Sequence, residues 1–359
     1  MALTRPTSVF YYHVHSDYSL LDSATDFKEY VDLVKESGGT AIASTEHGLP
    51  RGWISKKLYC DKVRCYRCDT CTRSECAYRD DVIRLPKDKG GKDLCPGHLT
   101  GESMEATPAG IKFVHGVEIY LTEQLEPKVR DNYHTVLLAK NEAGIRELNK
   151  LVSISSDKAH SYYTNRISFE EFLGISDNII KTSACLASPL NKLSEDNPWY
   201  ERLLRHYDYL EVQPHNHPDQ IAFNQKLARF SKEYGIPLVA GTDTHSSSKY
   251  KAECRNILLK AKRQSYGDED AFDLSYKTVD ELLDMFAAQG ALTEEEYFSA
   301  IQNTNEIAAA CENFSLDGSI KYPILYGSQE EDERIFEARA WESLDEKLAS
   351  GIIPESQEQ

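Results

Sequence analysis

Short apolar segments that are typical of buried strands alternate with amphipathic helical segments through most of this 359-residue chain. In residues 26–39, for example, Phe27, Tyr30 and Val34 recur with the period of a helix that ends at a pair of glycines. The strand-like segments are residues 8–14, 40–48, 111–121, 133–141, 178–186, 209–215 and 236–245. This alternation predicts an α/β fold with a closed or nearly closed barrel, which gathers its chemistry at the carboxyl ends of the strands.

The stretch YYHVHSDYSLLD at residues 11–22 places two histidines two positions apart in the first strand-like segment. Residues i and i+2 of a strand point to the same face, so His13 and His15 share a face. Two interpretations are open for this pair alone: half-buried hydrogen-bonded histidines near a strand end, or two ligands of one metal centre.

Metal-binding side chains also occur at or just past the ends of the other strand-like segments. Together with the first segment they form the set His13, His15, Asp22, His47, Glu118, His134, Cys185, Asp243 and His245. Imidazole, carboxylate and thiolate groups that converge from several strands are the donors that metal ions require. Any one of them could be a satisfied polar residue at a strand end, but the full set predicts two or three metal sites.

The motifs that carry these side chains resemble, in the same order, those of the PHP (polymerase and histidinol phosphatase) domain at the amino end of bacterial DNA polymerase III alpha subunits. They are HVHSDYSLLDSAT, ASTEHG, GVEIY, HTVLLAKN, SACL and AGTDTHS. FDLSYKTVDELLDMF and AIQNTNEIAAAC are similar to the segment that joins this domain to the polymerase palm. We therefore expect a PHP-type domain in residues 1–270 and a helical extension in 271–359. Since the palm motifs are absent, we expect no polymerase activity.

The resemblance implies a distorted seven-stranded barrel that holds two or three divalent metal ions (Zn, Mn or Fe). By the same resemblance, the predicted ligands divide into three groups. His13, His15, Glu118 and Asp243 would hold one metal; Glu118, His134 and Cys185 a second; and Asp22, His47 and His245 a third. Arg166 matches a basic family position that faces the cluster, where a guanidinium could clamp a phosphate, although a helix-cap arginine is an alternative. The predicted catalytic residues are Asp243, His15, Glu118 and Arg166.

Residues 51–105 interrupt the alternation and contain most of the cysteines. Six of the nine cysteines lie here, namely Cys60, Cys65, Cys68, Cys71, Cys76 and Cys95. Two overlapping C-x2-C steps followed by CPGH at residues 95–98 predict a structural zinc site. Our first assignment of its ligands is Cys65, Cys68, Cys95 and His98. Cys60, Cys71 and Cys76 leave room for another assignment or a second metal, including an iron–sulfur cluster.

Charge is unevenly distributed along the chain. Residues 51–100 contain 12 lysines and arginines against 7 aspartates and glutamates, while the net charge of the whole chain is −17. In an otherwise acidic chain, this basic segment is the part that is suited to bind a polyanion. The alternative is that it is a solvated loop. No run of about 18 apolar residues predicts a membrane span. No secretory signal is recognised at the start, so we expect a cytoplasmic protein.

These features favour a metal-dependent phosphoesterase that acts on nucleic acid, with a 3′→5′ exonuclease of the proofreading type as the leading hypothesis. A pair of metal ions would activate water and neutralise charge on the phosphoryl oxygens, so no serine or cysteine nucleophile is needed. The expected substrate is single-stranded or 3′-end DNA, or RNA, and replication proteins are candidate partners. The alternatives are a non-catalytic interaction module of a replication complex and a small-molecule phosphatase of the histidinol-phosphatase type.

Overall fold

A computed structural model describes residues 4–61, 111–264, 272–319 and 323–353 of the chain. It divides the chain into two compact units, Met1–Phe314 and Ser315–Gln359. Within the described residues, the first unit contains seven strands and ten helices, and the second contains one helix. Most of the predicted cysteine-rich insertion, including residues 62–105, lies outside the described residues.

The strands are β1 (Ala41–Ser44), β2 (Lys112–Thr122), β3 (Tyr133–Ala139), β4 (Arg166–Ser168), β5 (Ile179–Thr182), β6 (Leu210–Val212) and β7 (Leu238–Ala240). The helices of the first unit are α1 (Phe27–Glu36), α2 (Trp53–Cys60), α3 (Glu142–Ser155), α4 (Phe169–Leu173), α5 (Pro189–Lys192), α6 (Tyr200–His206), α7 (Pro218–Tyr234), α8 (Lys249–Lys262), α9 (Val279–Gln289) and α10 (Glu294–Ala310). These elements make the first unit a mixed α/β fold.

Two sheets and several isolated backbone bridges organise the strands. One sheet has the order β1-β2-β3-β5, with β4 paired to β2, and β6 and β7 form the second sheet. Bridges join Tyr11 to Ile42, Val14 to Thr244 and Thr182 to Tyr209. The amino-terminal segment, which we predicted as a strand, therefore makes single bridges to β1 and to the chain just past β7 in place of a continuous ladder.

The direction of β3 differs from the prediction. The strand–helix alternation predicts parallel strands, and β1 does pair parallel to β2, but β3 pairs antiparallel to both β2 and β5. Residues 123–132, which connect β2 to β3, contain no helix. A parallel pair needs a crossover of about a dozen residues or more, whereas a short connection returns the chain antiparallel.

Both faces of the central strands are buried. In β2, Phe113 belongs to one apolar cluster and Val114 to another; in β3, Leu137 and Val136 divide in the same way. Successive side chains of a strand point to opposite faces, so each strand contributes to both clusters. Strands covered on both sides read as continuous apolar runs, which is the pattern seen in the sequence of residues 111–121 and 133–141.

The helices form where capping residues meet apolar periodicity. Asp26 precedes α1 and accepts a hydrogen bond from the backbone of Lys28, while Phe27, Tyr30 and Val34 form the buried face of that helix. Helices α9 and α10 begin with capping boxes at Thr278 and Thr293.

Helices α9 and α10 follow residue 270, where the sequence predicts a domain boundary, yet they pack within the first unit. Thr304 of α10 accepts a hydrogen bond from the backbone of Phe10 at 2.9 Å, and Asn303 donates to the carbonyl of Leu238 at 2.7 Å. Leu282 and Ile301 are fully buried in the main apolar cluster. These contacts tie the two helices to the amino-terminal segment and to β7.

The second unit contains helix α11 (Gln329–Ala349), which begins at a capping serine, Ser328, and has no buried residue. Among the helices in the described part of the chain, none combines the length and apolar composition needed to cross a bilayer.

Candidate metal centre

Backbone pairing between segments that are distant in the sequence brings the predicted ligands together. His15 donates its backbone N–H to the carbonyl of Thr244 at 2.8 Å, and Thr244 donates to the carbonyl of His13 at 3.0 Å. A further bridge joins His47 to Glu118. The segment that carries His13 and His15 therefore lies beside the segment that carries Asp243 and His245, and the side chains of both are directed into one buried site.

Glu118 is the hub of this site. Its carboxylate is fully buried, and four imidazoles and one thiol lie within 4 Å of it. The distances from its oxygens are 3.3 Å to His13 Nε2, 3.4 Å to His15 Nε2, 2.6 Å to His47 Nδ1, 2.8 Å to His134 Nδ1 and 3.9 Å to Cys185 Sγ. One carboxylate that faces so many donors would contribute to more than one metal site.

Asp243 and Asp22 complete the site on either side of His15. Asp243 Oδ1 lies 3.2 Å from His13 Nε2 and 3.3 Å from His15 Nε2. Asp22 Oδ2 lies 2.6 Å from His47 Nε2 and 2.8 Å from His245 Nε2. Asp243 has a φ of 44°, a left-handed conformation that few non-glycine residues adopt and that occurs preferentially at functional sites.

The donor atoms fall into three groups in which all atoms lie within 4.8 Å of one another: His15 with Asp22, His47 and His245; His13 with His15 and Glu118; and His47 with Glu118 and His134. Several buried atoms in these groups make no hydrogen bond of acceptable geometry with any described atom. They are His13 Nε2, His15 Nε2, His47 Nδ1 and Glu118 Oε2; Asp243 Oδ1, which lies beside the groups, also makes none. Buried polar atoms normally have a partner, and these five converge on one another. The site therefore fits bound metal ions, although the structure does not identify the metal.

The pKa shifts of the site point in both directions. Burial would lower the pKa of His13 and of His47, but the carboxylates beside them raise both well above the ordinary value of an imidazole. Burial, together with the charges of His47 and His245, lowers the pKa of His15 to about 4, which leaves its imidazole neutral. Burial alone would raise the pKa of Asp243 and of Asp22, but the neighbouring imidazoles hold both well below the ordinary value of an aspartate. Neutral imidazoles and ionised carboxylates are the forms that bind metal, so a cation bound here would displace the protons of His13 and His47.

Residues 11–215 of the chain match the model of the PHP domain. The chain belongs to the PHP family. This agrees with the resemblance carried by the sequence motifs.

The curated relatives of this PHP chain are DNA polymerase III alpha subunits. The subunit from Borreliella burgdorferi is 28% identical over 85% of this chain and 24% of its own length. The subunit from Campylobacter jejuni is 28% identical over 83% of this chain and 23% of its own length, and that from Helicobacter pylori strain J99 is 25% identical over 96% and 27%. The chain thus spans about a quarter of the length of these relatives.

Two solved structures are similar to the chain at low identity. One is endonuclease Q in complex with a 27-mer duplex substrate with an abasic lesion at the active site, at 16% identity and a TM-score of 0.40 over 67% of this chain and 50% of that chain. The other is an amidohydrolase from Chromobacterium violaceum, at 13% identity and a TM-score of 0.37 over 66% and 88%.

The structure brings all nine predicted barrel ligands together. The first predicted group matches His13, His15 and Glu118, with Asp243 beside both histidines. In the second, His134 Nδ1 lies 2.8 Å from Glu118 and 3.6 Å from Cys185 Sγ. The third combines Asp22, His47 and His245, and His15 adjoins it. How the donors divide among individual ions stays a prediction.

Arg166 does not line the cleft at this centre. It is 1% exposed and begins β4, and its Nη1 donates to the backbone carbonyls of Val129 and Asp131 at 2.7 and 3.2 Å. These bonds fasten the connection between β2 and β3. A different arginine, Arg51, lines the cleft. The phosphate-clamping role of Arg166 stays a prediction that these contacts do not favour.

Glu211 is a functional residue that the sequence analysis missed. Its fully buried carboxylate lies 2.7 Å from His13 Nδ1, on the side of the ring opposite Nε2, the atom that faces Glu118 and Asp243. Tyr12 Oη and Gln213 Nε2 donate to the same carboxylate at 2.9 and 2.8 Å. Such a carboxylate fixes the tautomer and orientation of a ligating histidine. The signal in the sequence was an acidic residue inside the apolar strand YLEV.

Gly241 makes the room that Glu211 occupies. A Cβ built on Gly241 would lie 2.2 Å from Glu211 Oε1, so only glycine fits beside the carboxylate at this position.

Glu46 supports the opposite side of the site. It is fully buried, forms an ion pair with Lys56, and accepts hydrogen bonds from the hydroxyls of Ser16 and Ser19. Ser19 in turn lies 3.3 Å from His15 Nδ1 and accepts from the backbone of His47 at 3.1 Å. This network holds two of the predicted ligands in place.

Among the candidate ligands in the cysteine-rich insertion, the structure describes only Cys60, the last residue of α2. Its side chain is 1% exposed in the main apolar cluster, and burial raises the pKa of its thiol to about 12. A protonated thiol in an apolar environment is a poor zinc ligand. The remaining candidates, Cys65, Cys68, Cys71, Cys76, Cys95 and His98, lie outside the described residues.

A cleft of 470 Å³ opens onto the metal centre. Asp22, His47 and His134 form part of its lining, so the predicted ligands are accessible to a bound molecule. The other lining residues include Arg51, Tyr120, Asn132, Tyr163 and Asn165. The volume falls in the range of small-ligand sites, about 300–1,000 Å³.

Proposed function

We propose that this chain is a metal-dependent phosphoesterase that acts on nucleic acid, with the activity of a 3′→5′ exonuclease. The observation that carries the proposal is the convergence of nine metal-binding side chains on one buried site beside a cleft, where several nitrogen and oxygen atoms make no hydrogen bond with a described atom. A complete ligand set of this kind supports catalysis over a purely structural role.

The residues of the site have separable tasks in the proposed reaction. Bound metal ions would supply Lewis-acid charge and would lower the pKa of water enough to generate a nucleophile at neutral pH. Glu118, Asp243 and Asp22 provide the negative charge that retains cations in a buried site. Glu211 fixes the ring of His13, and Arg51 at the cleft offers a guanidinium to a phosphate.

We also propose that the strands form the distorted seven-stranded barrel implied by the sequence. The pairings support it: they run from the amino-terminal segment through β1, β2, β3 and β5, cross the bridge at Thr182 to β6 and β7, and return through the bridge at Val14. A closed barrel would collect the ligand-bearing strand ends at one mouth.

The proposed substrate is single-stranded or 3′-end DNA, and replication proteins are the proposed partners. The relatives support this context because they are DNA polymerase III alpha subunits. The neighbouring endonuclease Q binds a DNA duplex, but the similarity is too low to carry the argument. A cytoplasmic location follows from the proposed role in replication.

Metal analysis coupled to a nuclease assay tests this function. The chain is freed of metal, reloaded with Mn²⁺ or Zn²⁺ and incubated with single strands carrying a 3′ label. We expect two or three ions per barrel and release of labelled mononucleotides, and we expect Asp243→Asn to abolish the release. Asp219→Asn on the exposed start of α7 serves as a matched control.

The alternatives give different results in the same assay. Metal binding without cleavage of any nucleic acid or phosphomonoester would identify an interaction module. Cleavage restricted to small phosphomonoesters would identify a phosphatase of the histidinol-phosphatase type.

A further inference from the structure

The lining of the cleft combines two kinds of group. Besides the carboxylate and imidazoles of Asp22, His47 and His134, it includes the side chains of Tyr163, Thr164, Asn132, Asn165 and Arg51. The amide and hydroxyl groups offer both donors and acceptors, and the aromatic ring offers a flat apolar face. This mixture of groups differs from the carboxylates and imidazoles of the proposed metal centre. It suits an organic group attached to the reacting phosphate.

Tyr163 presents its ring to solvent while being held in place. It is 79% exposed, and Arg130 lies with its guanidinium carbon 4.6 Å from the ring centroid. Arg130 also donates to the hydroxyl of Tyr163 at 3.3 Å, and the ring of Tyr162 packs edge-on at 4.8 Å. A single exposed aromatic residue is ordinary on a protein surface, but a ring fixed by two neighbours beside a reactive cleft is preorganised for contact.

The backbone of Tyr163 points to the same conclusion. Its φ is 63°, in the left-handed region that aromatic residues rarely adopt, and a bridge between Tyr162 and Thr164 encloses it in a tight turn. Such conformations persist only where the surrounding structure imposes them, and they concentrate at ligand-binding sites. The turn directs the side chain into solvent, although burial of its aromatic ring would be favourable.

We propose that Tyr163 is a stacking platform for the terminal nucleobase of a single strand whose phosphate lies at the metal centre, with Arg130 as the positioning residue for the ring. This rests on the proposed function and specifies the substrate as a nucleotide chain with an intact terminal base. Every base has a π-face, so a tyrosine platform selects for the presence of a base without selecting for its identity.

The test measures binding in a background that does not cleave. All proteins carry Asp243→Asn, and the anisotropy of a short single strand with a 5′ fluorophore reports its dissociation constant. Tyr163→Ala is expected to weaken binding by about five-fold or more, while Tyr163→Phe, which keeps the ring, stays within about two-fold of the parent. Tyr250→Ala removes another tyrosine, 70% exposed on α8, and is expected to change nothing.

An abasic nucleotide at the 3′ end separates stacking from other contacts. If Tyr163 stacks on the terminal base, the loss caused by Tyr163→Ala disappears on the abasic strand. Three outcomes would overturn the stacking role of Tyr163. They are a loss of affinity that persists on the abasic strand, equal affinities of Tyr163→Ala and the parent for the intact strand, and no measurable binding by the parent.

Cleavage by the wild-type chain is measured separately. If Tyr163 stacks on the base but the chain cleaves no strand, the exonuclease proposal is refuted and the stacking proposal is supported. If the chain cleaves strands with and without a terminal base equally well, the exonuclease proposal is supported and the stacking proposal is refuted.

Discussion

Glu118 meets His13, His15, His47 and His134 at distances between 2.6 and 3.4 Å, so the centre depends on one buried carboxylate more than on any other described group. Asp243 stands beside the two histidines of the amino-terminal segment. Removing a ligand from such a site changes which ions it holds, whereas the apolar clusters that stabilise the fold are untouched.

The first prediction concerns these ligands. Asp243→Asn or His15→Ala should lower phosphodiester cleavage by about a thousand-fold or more, because the metal that each helps to hold generates the nucleophile. The fold should persist, as judged by far-ultraviolet circular dichroism. Wild-type rates in both variants on every phosphoester tried would favour the interaction module.

The second prediction concerns Glu211, which touches His13 and not the proposed ions. Glu211→Gln keeps the volume of the side chain but replaces a carboxylate, which only accepts hydrogen bonds, by an amide that also donates them. The orientation of the His13 ring is therefore less well fixed. We expect metal affinity, measured by competition with a chromophoric chelator, to fall by about 10–100-fold. Glu306→Gln, on the exposed face of α10, is the matched control. Equal affinity in both variants would limit Glu211 to packing.

The sequence located the nine side chains that the structure brings together, but not the groups that support them. Metal-binding side chains at strand ends form a visible pattern, and each motif carries its own ligand. Glu211 lies four residues before His215 within an apolar strand, and no local pattern links it to His13, almost two hundred positions away. Contacts between distant segments of this kind depend on the tertiary fold.

At the scale of elements, amphipathic periodicity located α1 with small errors at its ends, and α9 and α10 lie in the region predicted to be helical. Strand direction was not encoded in the same way, because an apolar run reads identically in a parallel and an antiparallel strand. Several predicted strands are longer than those observed, because the segments at residues 40–48, 178–186 and 236–245 include the turns that carry their ligands. Glu118 and His134, in contrast, lie within the ladder of β2 and β3.

The third prediction separates the two candidate ends of the main domain. A chain that stops after residue 314 should unfold in one cooperative transition, since α11 contributes no buried residue. A chain that stops after residue 270 loses α9 and α10, including the buried Leu282, Phe286 and Ile301. Loss of a single large apolar side chain costs about 2–5 kcal/mol, so this shorter chain should fail to fold. Urea unfolding followed by tryptophan fluorescence checks both, and a stable chain of residues 1–270 would restore the boundary predicted from sequence.

The fourth prediction concerns the cysteine-rich segment, whose metal ligands remain predicted from sequence spacing alone. Cys65→Ser should reduce the zinc content by one ion per chain, because a four-coordinate thiolate site does not tolerate the loss of a ligand. The ions of the proposed metal centre should stay bound, since the donor groups found among the described residues need no ligand from the cysteine-rich segment. Plasma emission spectrometry of the purified protein measures both. If the ions of the proposed metal centre were lost as well, the prediction of two independent sites would be wrong. An unchanged zinc content would show that Cys65 is not a ligand.

At the scale of the whole molecule, an acidic chain is proposed to act on a polyanion. The net charge of −17 repels nucleic acid at long range, and residues 51–100, with 12 basic against 7 acidic residues, are the exception. If this segment contacts the phosphates of a bound strand, then each contact releases counterions and makes binding depend on salt. For a single strand the slope of log K against log salt changes by about 0.7 for each phosphate contact.

The fifth prediction follows from this charge distribution. Joint replacement of Arg64, Arg67 and Arg73 by glutamine should reduce the salt slope by about 2 and weaken binding at low salt, while the activity on a small phosphodiester is retained. Joint replacement of Arg334 and Arg339 on α11 by glutamine is the control, because it changes the net charge in the same direction on the other unit. Binding isotherms at several salt concentrations provide the slopes. If both sets of variants weaken binding to the same extent per charge removed, the effect is one of net charge, and the basic segment makes no specific contact with the strand.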